Sequence, residues 1–222
     1  MNGNQVPNEL KFLLEVQDVD GVVKLLDFYE RDDSFIYVME KPHHYVDMFD
    51  YITKAKTLDE VVARNFFRQV VDTVVACHER GIVHRDIKDE NLLVDLTSHK
   101  VTLIDFGSGG YIQREDYHQF DGTRVYAPPE WIRDGRYRWE GLTVWSLGIL
   151  LFDMVAGDVP FQEDGDICQA QLKFPAGLSR GVKDLIQGSL HPDERYRLSM
   201  GEIERHPWVR GDDMNDSGIG SL

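Results

Sequence analysis

The stretch that most constrains this chain is a charged loop, Gly81-Ile82-Val83-His84-Arg85-Asp86-Ile87-Lys88-Asp89-Glu90-Asn91. It lies between a long amphipathic segment and the short apolar run Leu92-Leu93-Val94. A polar loop held between two packed elements is where a scaffold presents reactive groups. Spacing narrows the chemistry further. Asp86, Lys88 and Asn91 put a base, a cation and a metal-ligating amide within six positions.

The segments around the loop read as alternating helix and strand. Residues 8–16 carry Leu10, Leu13 and Leu14 at helical spacing behind Pro7, with Glu9 in the first turn, where a carboxylate suits the helix dipole. Residues 22–29 and 35–40 read as strands joined by a charged turn, hence a hairpin. Lys41-Pro42-His43-His44 ends it, since proline cannot donate a ladder hydrogen bond. The two histidines have no further ligands nearby and read as a turn. We expect a boundary here, with a small part over 1–42 and a larger one over 43–210.

Residues 47–53 read as a helix. Thr57 and Glu60 form a capping-box pattern that opens a long helix to about Arg80. Its stripe of Val62, Phe66, Phe67, Val70, Val71, Val74 and Val75 is core, and Gly81 stops it. After the charged loop, 92–94 and 101–104 read as two short strands. The second runs into Asp105-Phe106-Gly107, where a strand-end carboxylate and a glycine turn suit metal binding. Residues 108–126 have no period and read as a long functional loop. A helical turn follows at 127–132. Residues 143–156 are apolar nearly all round, which predicts a helix buried on most sides. Helices are expected near 166–172 and 181–190, and from a capping box at Ser199 and Glu202 to a stop at His206-Pro207-Trp208. The small, polar residues 211–222 read as a disordered tail. The fold class is α+β, with the helices concentrated in the larger part.

A formal net charge of −15 argues against nucleic acid and anionic membrane surfaces and favours a basic partner. Cys77 and Cys168 form no disulfide or zinc pattern, which fits a reducing interior, cytoplasmic and also nuclear. The polar N-terminus is not a signal peptide, and the apolar run at 144–152 is shorter than a membrane span.

These positions suit phosphoryl transfer, which needs alignment and charge neutralisation more than covalent chemistry. Asp86 would orient the attacking hydroxyl, Lys88 would reach the transferring phosphate, and Asn91 and Asp105 would hold Mg2+. The ordered motifs His84 to Asn91, Asp105-Phe106-Gly107, Ala127-Pro128-Pro129-Glu130, Trp145-Ser146-Leu147-Gly148, Arg195 and His206-Pro207-Trp208 resemble those of eukaryotic protein kinases over residues 8–209. Phe120-Asp121-Gly122-Thr123-Arg124-Val125-Tyr126 and Ile87-Lys88-Asp89-Glu90-Asn91 are most similar to the Pim serine/threonine kinases. Thr143, where most kinases carry aspartate, is a departure those kinases share.

The resemblance implies a helical C-lobe beneath a partial N-lobe of one helix and a hairpin. It implies transfer of the ATP γ-phosphate to serine or threonine in arginine-rich protein segments, by a monomer. Glu9 would be the first helix's glutamate, and Arg85 would tie the catalytic loop to the loop that follows. Met39, Glu40, Pro42, Leu93 and Ile104 would surround adenine, with Pro42 removing a backbone donor. Glu130 and Arg195 would form a buried ion pair. Asp47, Asp50, Glu90, Thr123 and Asp158 would face the substrate. Gln119 stands where many kinases carry a phosphorylated threonine, so Asp116 or Asp121 is expected to pair with Arg85 instead. No Gly-x-Gly-x-x-Gly occurs, and no lysine precedes Glu9. The expectation is therefore a truncated kinase, at least about a thousandfold less active than a complete one. The alternatives are a weak pseudokinase or a non-catalytic peptide-binding scaffold.

Overall fold

The computed structural model describes residues 6–41 and 43–212. Helix α1 (Asn8–Val16) enters through Pro7 and buries Leu10, Phe12, Leu13 and Val16. The expected hairpin is present as β1 (Leu25–Glu30) and β2 (Phe35–Met39), paired antiparallel with Glu30 opposite Phe35. It starts later than the apolar run suggests. Gly21 turns the chain at φ 87°, and the backbone beside it is spent elsewhere. Leu103 donates to the Gly21 carbonyl at 2.7 Å and Val23 donates back to Leu103 at 3.0 Å, stitching this segment to the central sheet.

That sheet has the order β3-β5-β6, formed by Tyr45–Asp47, Leu92–Asp95 and Val101–Leu103. Three residues are too few to show a period, so β3 is invisible in the sequence. Its last residue, Asp47, caps α2 (Met48–Ala55) by accepting from the Asp50 amide at 2.7 Å. The long helix α3 (Glu60–Glu79) carries the expected stripe, with Phe66, Phe67, Val70, Val71 and Val74 buried. The Thr57 capping box does not form. Asp59 caps the helix, and Glu60 is drawn away by Ser179 N at 2.6 Å, Ser179 Oγ at 2.7 Å and Trp208 Nε1 at 2.9 Å. Three donors from distant parts of the chain displace one local contact.

Beyond α3, β4 (Ile82–Val83) pairs antiparallel with β7 (Gly110–Tyr111), a two-residue ladder also absent from the sequence reading. A short helix α4 (Pro129–Asp134) precedes α5 (Trp139–Ala156). Every residue of α5 from 142 to 155 is buried. Its length and hydropathy alone would suit a membrane span, but here it packs against α3 and α7 (Arg180–Ser189) as the axis of the core. It begins four residues before the apolar run, because Trp139, Glu140 and Gly141 supply a partly polar first turn. Helix α6 (Asp164–Gln169) lies slightly earlier than expected. Helix α8 (Met200–Arg205) has the full Ser199–Glu202 capping box. His206-Pro207-Trp208 does not end the helical region. Pro207 opens α9 (Pro207–Arg210), with His206 Nδ1 accepting from Trp208 N at 3.2 Å. Of the expected tail, 213–222 lies outside the described residues.

Candidate active site

Gly81, at φ 76°, ends α3 and feeds the charged loop through β4, while β5 leads away from it. The loop is shaped by one buried imidazole. His84 Nδ1 accepts the Asp86 amide at 3.3 Å, so its proton sits on Nε2, which donates to the Ile104 carbonyl at 2.9 Å. Burial pushes the ring's pKa down and keeps it neutral, as that pair of bonds requires. The Phe106 ring meets it edge-on at 4.7 Å. His84 thus fastens the loop to the strand end that carries Asp105.

Asp86 is oriented from both sides. Its Oδ1 accepts Thr123 N at 2.9 Å, and its Oδ2 accepts Asn91 Nδ2 at 3.1 Å. Asn91 also donates to the Asp86 carbonyl at 2.8 Å. Both amide hydrogens of Asn91 are therefore directed to Asp86. No hydrogen bond reaches its amide oxygen among the described residues. Lys88 Nζ donates to Thr123 Oγ1 at 2.8 Å and lies 3.4 Å from Asp86 Oδ2 and 3.0 Å from Glu90 Oε2. Burial opposes the lysine's charge, but its bond to Glu90 and the attraction of Asp86 prevail, and its pKa is raised. A base, a cation and a threonine hydroxyl from the long loop thus meet at one point.

Asp105 follows β6 with φ 61°, a left-handed conformation that costs a side-chain-bearing residue on the order of 1–3 kcal/mol. Arg85, at φ 65°, carries the same strain. The Asp105 carboxylate is exposed and, among the described residues, accepts only Gly107 N, at 3.1 Å. With the Asn91 amide it makes a pair of hard oxygen donors. Among the described residues no three His, Cys, Asp or Glu side chains form a closed cation cage. Two protein ligands, with phosphate and water as the others, fit magnesium. Glu9, on α1, lies close enough that Asp105's charge adds to burial in raising its pKa.

Arg85 does tie the two loops together, mainly through backbone carbonyls. Its Nε donates to Ser108 O at 2.6 Å and one terminal nitrogen donates to Gly109 O at 2.9 Å, while the guanidinium sits 5.2 Å over the Tyr117 ring. Of the two expected carboxylate partners, Asp121 stands 3.8 Å away. Asp116 is not a partner, because Arg136 at 2.8 Å and Arg138 at 3.4 Å hold it.

One assignment is overturned. Glu130 is buried and paired, but with Arg197 rather than Arg195. Both Arg197 terminal nitrogens donate to the carboxylate at 2.8 Å, and the guanidinium also bonds the Gly141 and His191 carbonyls and stacks 5.0 Å over Trp145. Arg195 points outward, its side chain 77% exposed against 1% for Arg197, and pairs with Asp193. In Arg195-Tyr196-Arg197 the composition gives no preference. The available signal was the Ser199 cap, since Arg197 stands two residues before it and α8 docks there on Glu140, which accepts Met200 N at 3.0 Å.

The remaining expected positions are spread around this centre. Met39 ends β2 and is exposed, Glu40 N bonds the Lys24 carbonyl at 2.8 Å, and Leu93, on β5, and Ile104, just after β6, are half-buried. Pro42 lies outside the described residues. Asp50 and Glu90 are exposed. Asp158 is exposed as well and accepts Val159 N at 2.8 Å. Beneath Asp158 lie two buried acids, Asp89 and Asp153. Asp89 is buried and accepts Tyr126 OH at 3.0 Å. Asp153, on α5, is buried with no hydrogen bond or ion pair to its carboxyl among the described residues. Burial, with the charges of Asp89 and Asp158 adding to it, pushes its pKa up to about 7. Nothing in a linear sequence distinguishes a buried aspartate from a solvated one.

Comparison with known proteins agrees with this geometry. The family profile described as protein kinase domain matches residues 1–209. The chain is 45% identical over 214 residues to the serine/threonine-protein kinase pim-2 of Danio rerio, covering 93% of this chain and 69% of that protein. It is 42% identical over 214 residues to the serine/threonine-protein kinase prk-2 of Caenorhabditis elegans, covering 95% of this chain and 48% of that one. A PAS domain-containing serine/threonine-protein kinase of Mus musculus is 36% identical over 208 residues, which make up 15% of its length.

Proposed function

The chain belongs to the protein kinase family, and from that premise we propose that it transfers the γ-phosphate of ATP to serine or threonine in protein segments with upstream arginines. The observation that carries this reading is the oriented Asp86 carboxylate, with Lys88 and Thr123 beside it. In the reaction the substrate oxygen forms a bond to the γ-phosphorus as the bond from that phosphorus to the β,γ-bridging oxygen breaks. The hydroxyl proton passes to Asp86, and ADP leaves. Asp86 suits this because Thr123 N and Asn91 Nδ2 fix its plane. Lys88 is poised to neutralise charge on the transferring group, and Thr123, bonded to both, sets where the acceptor lies. Asn91 and Asp105 would hold magnesium, which when bound neutralises the nucleotide phosphates. Met39, Glu40, Leu93 and Ile104 would bound the adenine.

The preference for arginine rests on electrostatics. Asp47, Asp50, Glu90 and Asp158 bring four carboxylates, and the chain carries −15 overall. Such a field steers and selects basic segments. The test is phosphate transfer from labelled ATP to serine peptides with and without upstream arginines, by this protein and by Asp86→Asn. The expected result is transfer that favours the arginine peptides and falls by about a thousandfold in the variant, the loss typical of a key polar group. Equal transfer by both proteins overturns the role of Asp86. Equal rates on both peptides overturn the arginine preference alone.

A further inference from the structure

We propose that Tyr111 is a positioning residue that fastens α1, and with it Glu9, to the loop beginning at Asp105. The backbone of Tyr111 is held first. It pairs with Ile82 in the β4–β7 ladder, Tyr117 OH donates to its carbonyl, and Ile112 N donates to Gly81 O at 2.7 Å. From this fixed point the side chain reaches three residues of α1. Its hydroxyl donates to Glu15 Oε1 at 2.5 Å, its ring meets Phe12 edge-on at 5.4 Å, and the Lys11 ammonium sits 4.6 Å over the ring. Residues 11, 12 and 15 share one side of a helix.

The loop is also shaped to receive this helix. A Cβ on Gly109 would come within 2.8 Å of Phe12 Cδ2, so only glycine leaves room for Phe12 between Gly109 and Tyr111. The carbonyls of Ser108 and Gly109 are those that Arg85 holds. The contacts therefore run without a gap from the residue beside Asp86, through Gly109 and Tyr111, to the helix that carries Glu9. Helix α1 needs such support. It has nine residues and no side-chain cap, too short to persist on its own propensity. Its buried residues anchor it to the core, and Tyr111 adds contacts to Lys11, Phe12 and Glu15.

The inference rests on the kinase reading only for its kinetic consequence, so the test has two arms. The first is amide hydrogen exchange of α1 in the full chain, for Tyr111→Leu, Tyr111→Phe, Glu15→Gln and Glu15→Ala. Tyr111→Leu should speed exchange over residues 10–16 by about tenfold or more, and Tyr111→Phe and Glu15→Ala by a few-fold, while exchange in α3 and α5 stays unchanged. Glu15→Gln keeps an acceptor oxygen and should restore protection to within about twofold of wild type. Combining Tyr111→Phe with Glu15→Ala should add nothing to the larger single effect, because both remove one bond. The second arm is kinetic: kcat should fall in Tyr111→Leu with the peptide KM unchanged. Unchanged α1 exchange in Tyr111→Leu, or equal acceleration in every helix, overturns the proposal. Should Tyr111→Leu fail to fold, the Tyr111→Phe and Glu15→Ala pair decides by the same criterion. Should the wild type transfer no phosphate, the kinase reading fails and the exchange arm still decides.

Discussion

The charged loop and the β1–β2 hairpin sit within one small molecule and are held in opposite ways. From His84 to Asn91 every polar side chain has a partner within the fold, and several are buried. Along the hairpin, Leu26, Phe28, Tyr29, Ile36, Val38 and Met39 are all more than a third exposed, on both faces. One region buries charge and satisfies it. The other displays apolar surface that no described residue covers. The stability of the first should depend on pairwise geometry, so that losing one partner is severe. The second should respond weakly to single substitutions, because little is lost when an exposed side chain goes.

The largest expected effect carries the loop's rule, that a buried charge depends on its partner, to the Glu130–Arg197 pair outside it. Arg197→Ala should cost about 3–5 kcal/mol of unfolding free energy, because it leaves Glu130 buried and charged without a partner. Arg195→Ala, two residues away, should stay within about 0.5 kcal/mol, since its pair with Asp193 is exposed. Denaturant unfolding of the two variants checks this. Equal losses would break the contrast.

That pair also shows where the sequence is legible. Asp86, Lys88 and Asn91 are close in the chain and act on one another, so their spacing carries their geometry. The helices read well because their stripes are long, and α1 and α3 lie where periodicity puts them. What escaped depends on distant parts of the chain. The choice between Arg195 and Arg197 is made by Trp145 and Gly141, and the Glu60 cap is lost to Ser179 and Trp208. The ladder of β4 with β7 is too short to leave a pattern. Tyr111, whose side chain meets α1 and whose backbone is held by that ladder and by Tyr117, had no sequence signal.

Asp153, on α5 within reach of Asp89's charge, is a buried carboxyl without a partner among the described residues, and its effect should be intermediate. In the unfolded chain it ionises near its ordinary 3.8; folded, it keeps its proton up to about pH 7. Between those values the folded state binds the extra proton. Its contribution is therefore complete below about pH 4 and lost as pH rises through 7. Asp153→Asn should flatten the fall of stability across that window by on the order of 1–3 kcal/mol. Asp89, whose pKa is also raised by burial, remains in the variant and keeps part of the slope. Unfolding free energies at pH 5 and pH 7.5 measure the difference, and parallel curves for the two proteins would remove Asp153 as the source.

The smallest effect belongs to the hairpin and tests the other half. Phe28→Ser and Val38→Thr replace exposed apolar groups on paired strands, in positions that leave every ladder bond intact. Each should change the unfolding free energy by no more than about 0.5 kcal/mol. Together they should raise the concentration at which the protein stays monodisperse in light scattering, because a hairpin with bare edges and apolar faces is a template for self-association. A loss of about 2 kcal/mol or more in either variant would mean that these faces are covered in solution. The hairpin would then be held, like the charged loop, by specific partners, and the contrast would be one of accessible surface only. Without that loss, a region can keep its backbone register through ladder bonds alone while its side chains contribute almost nothing to the fold.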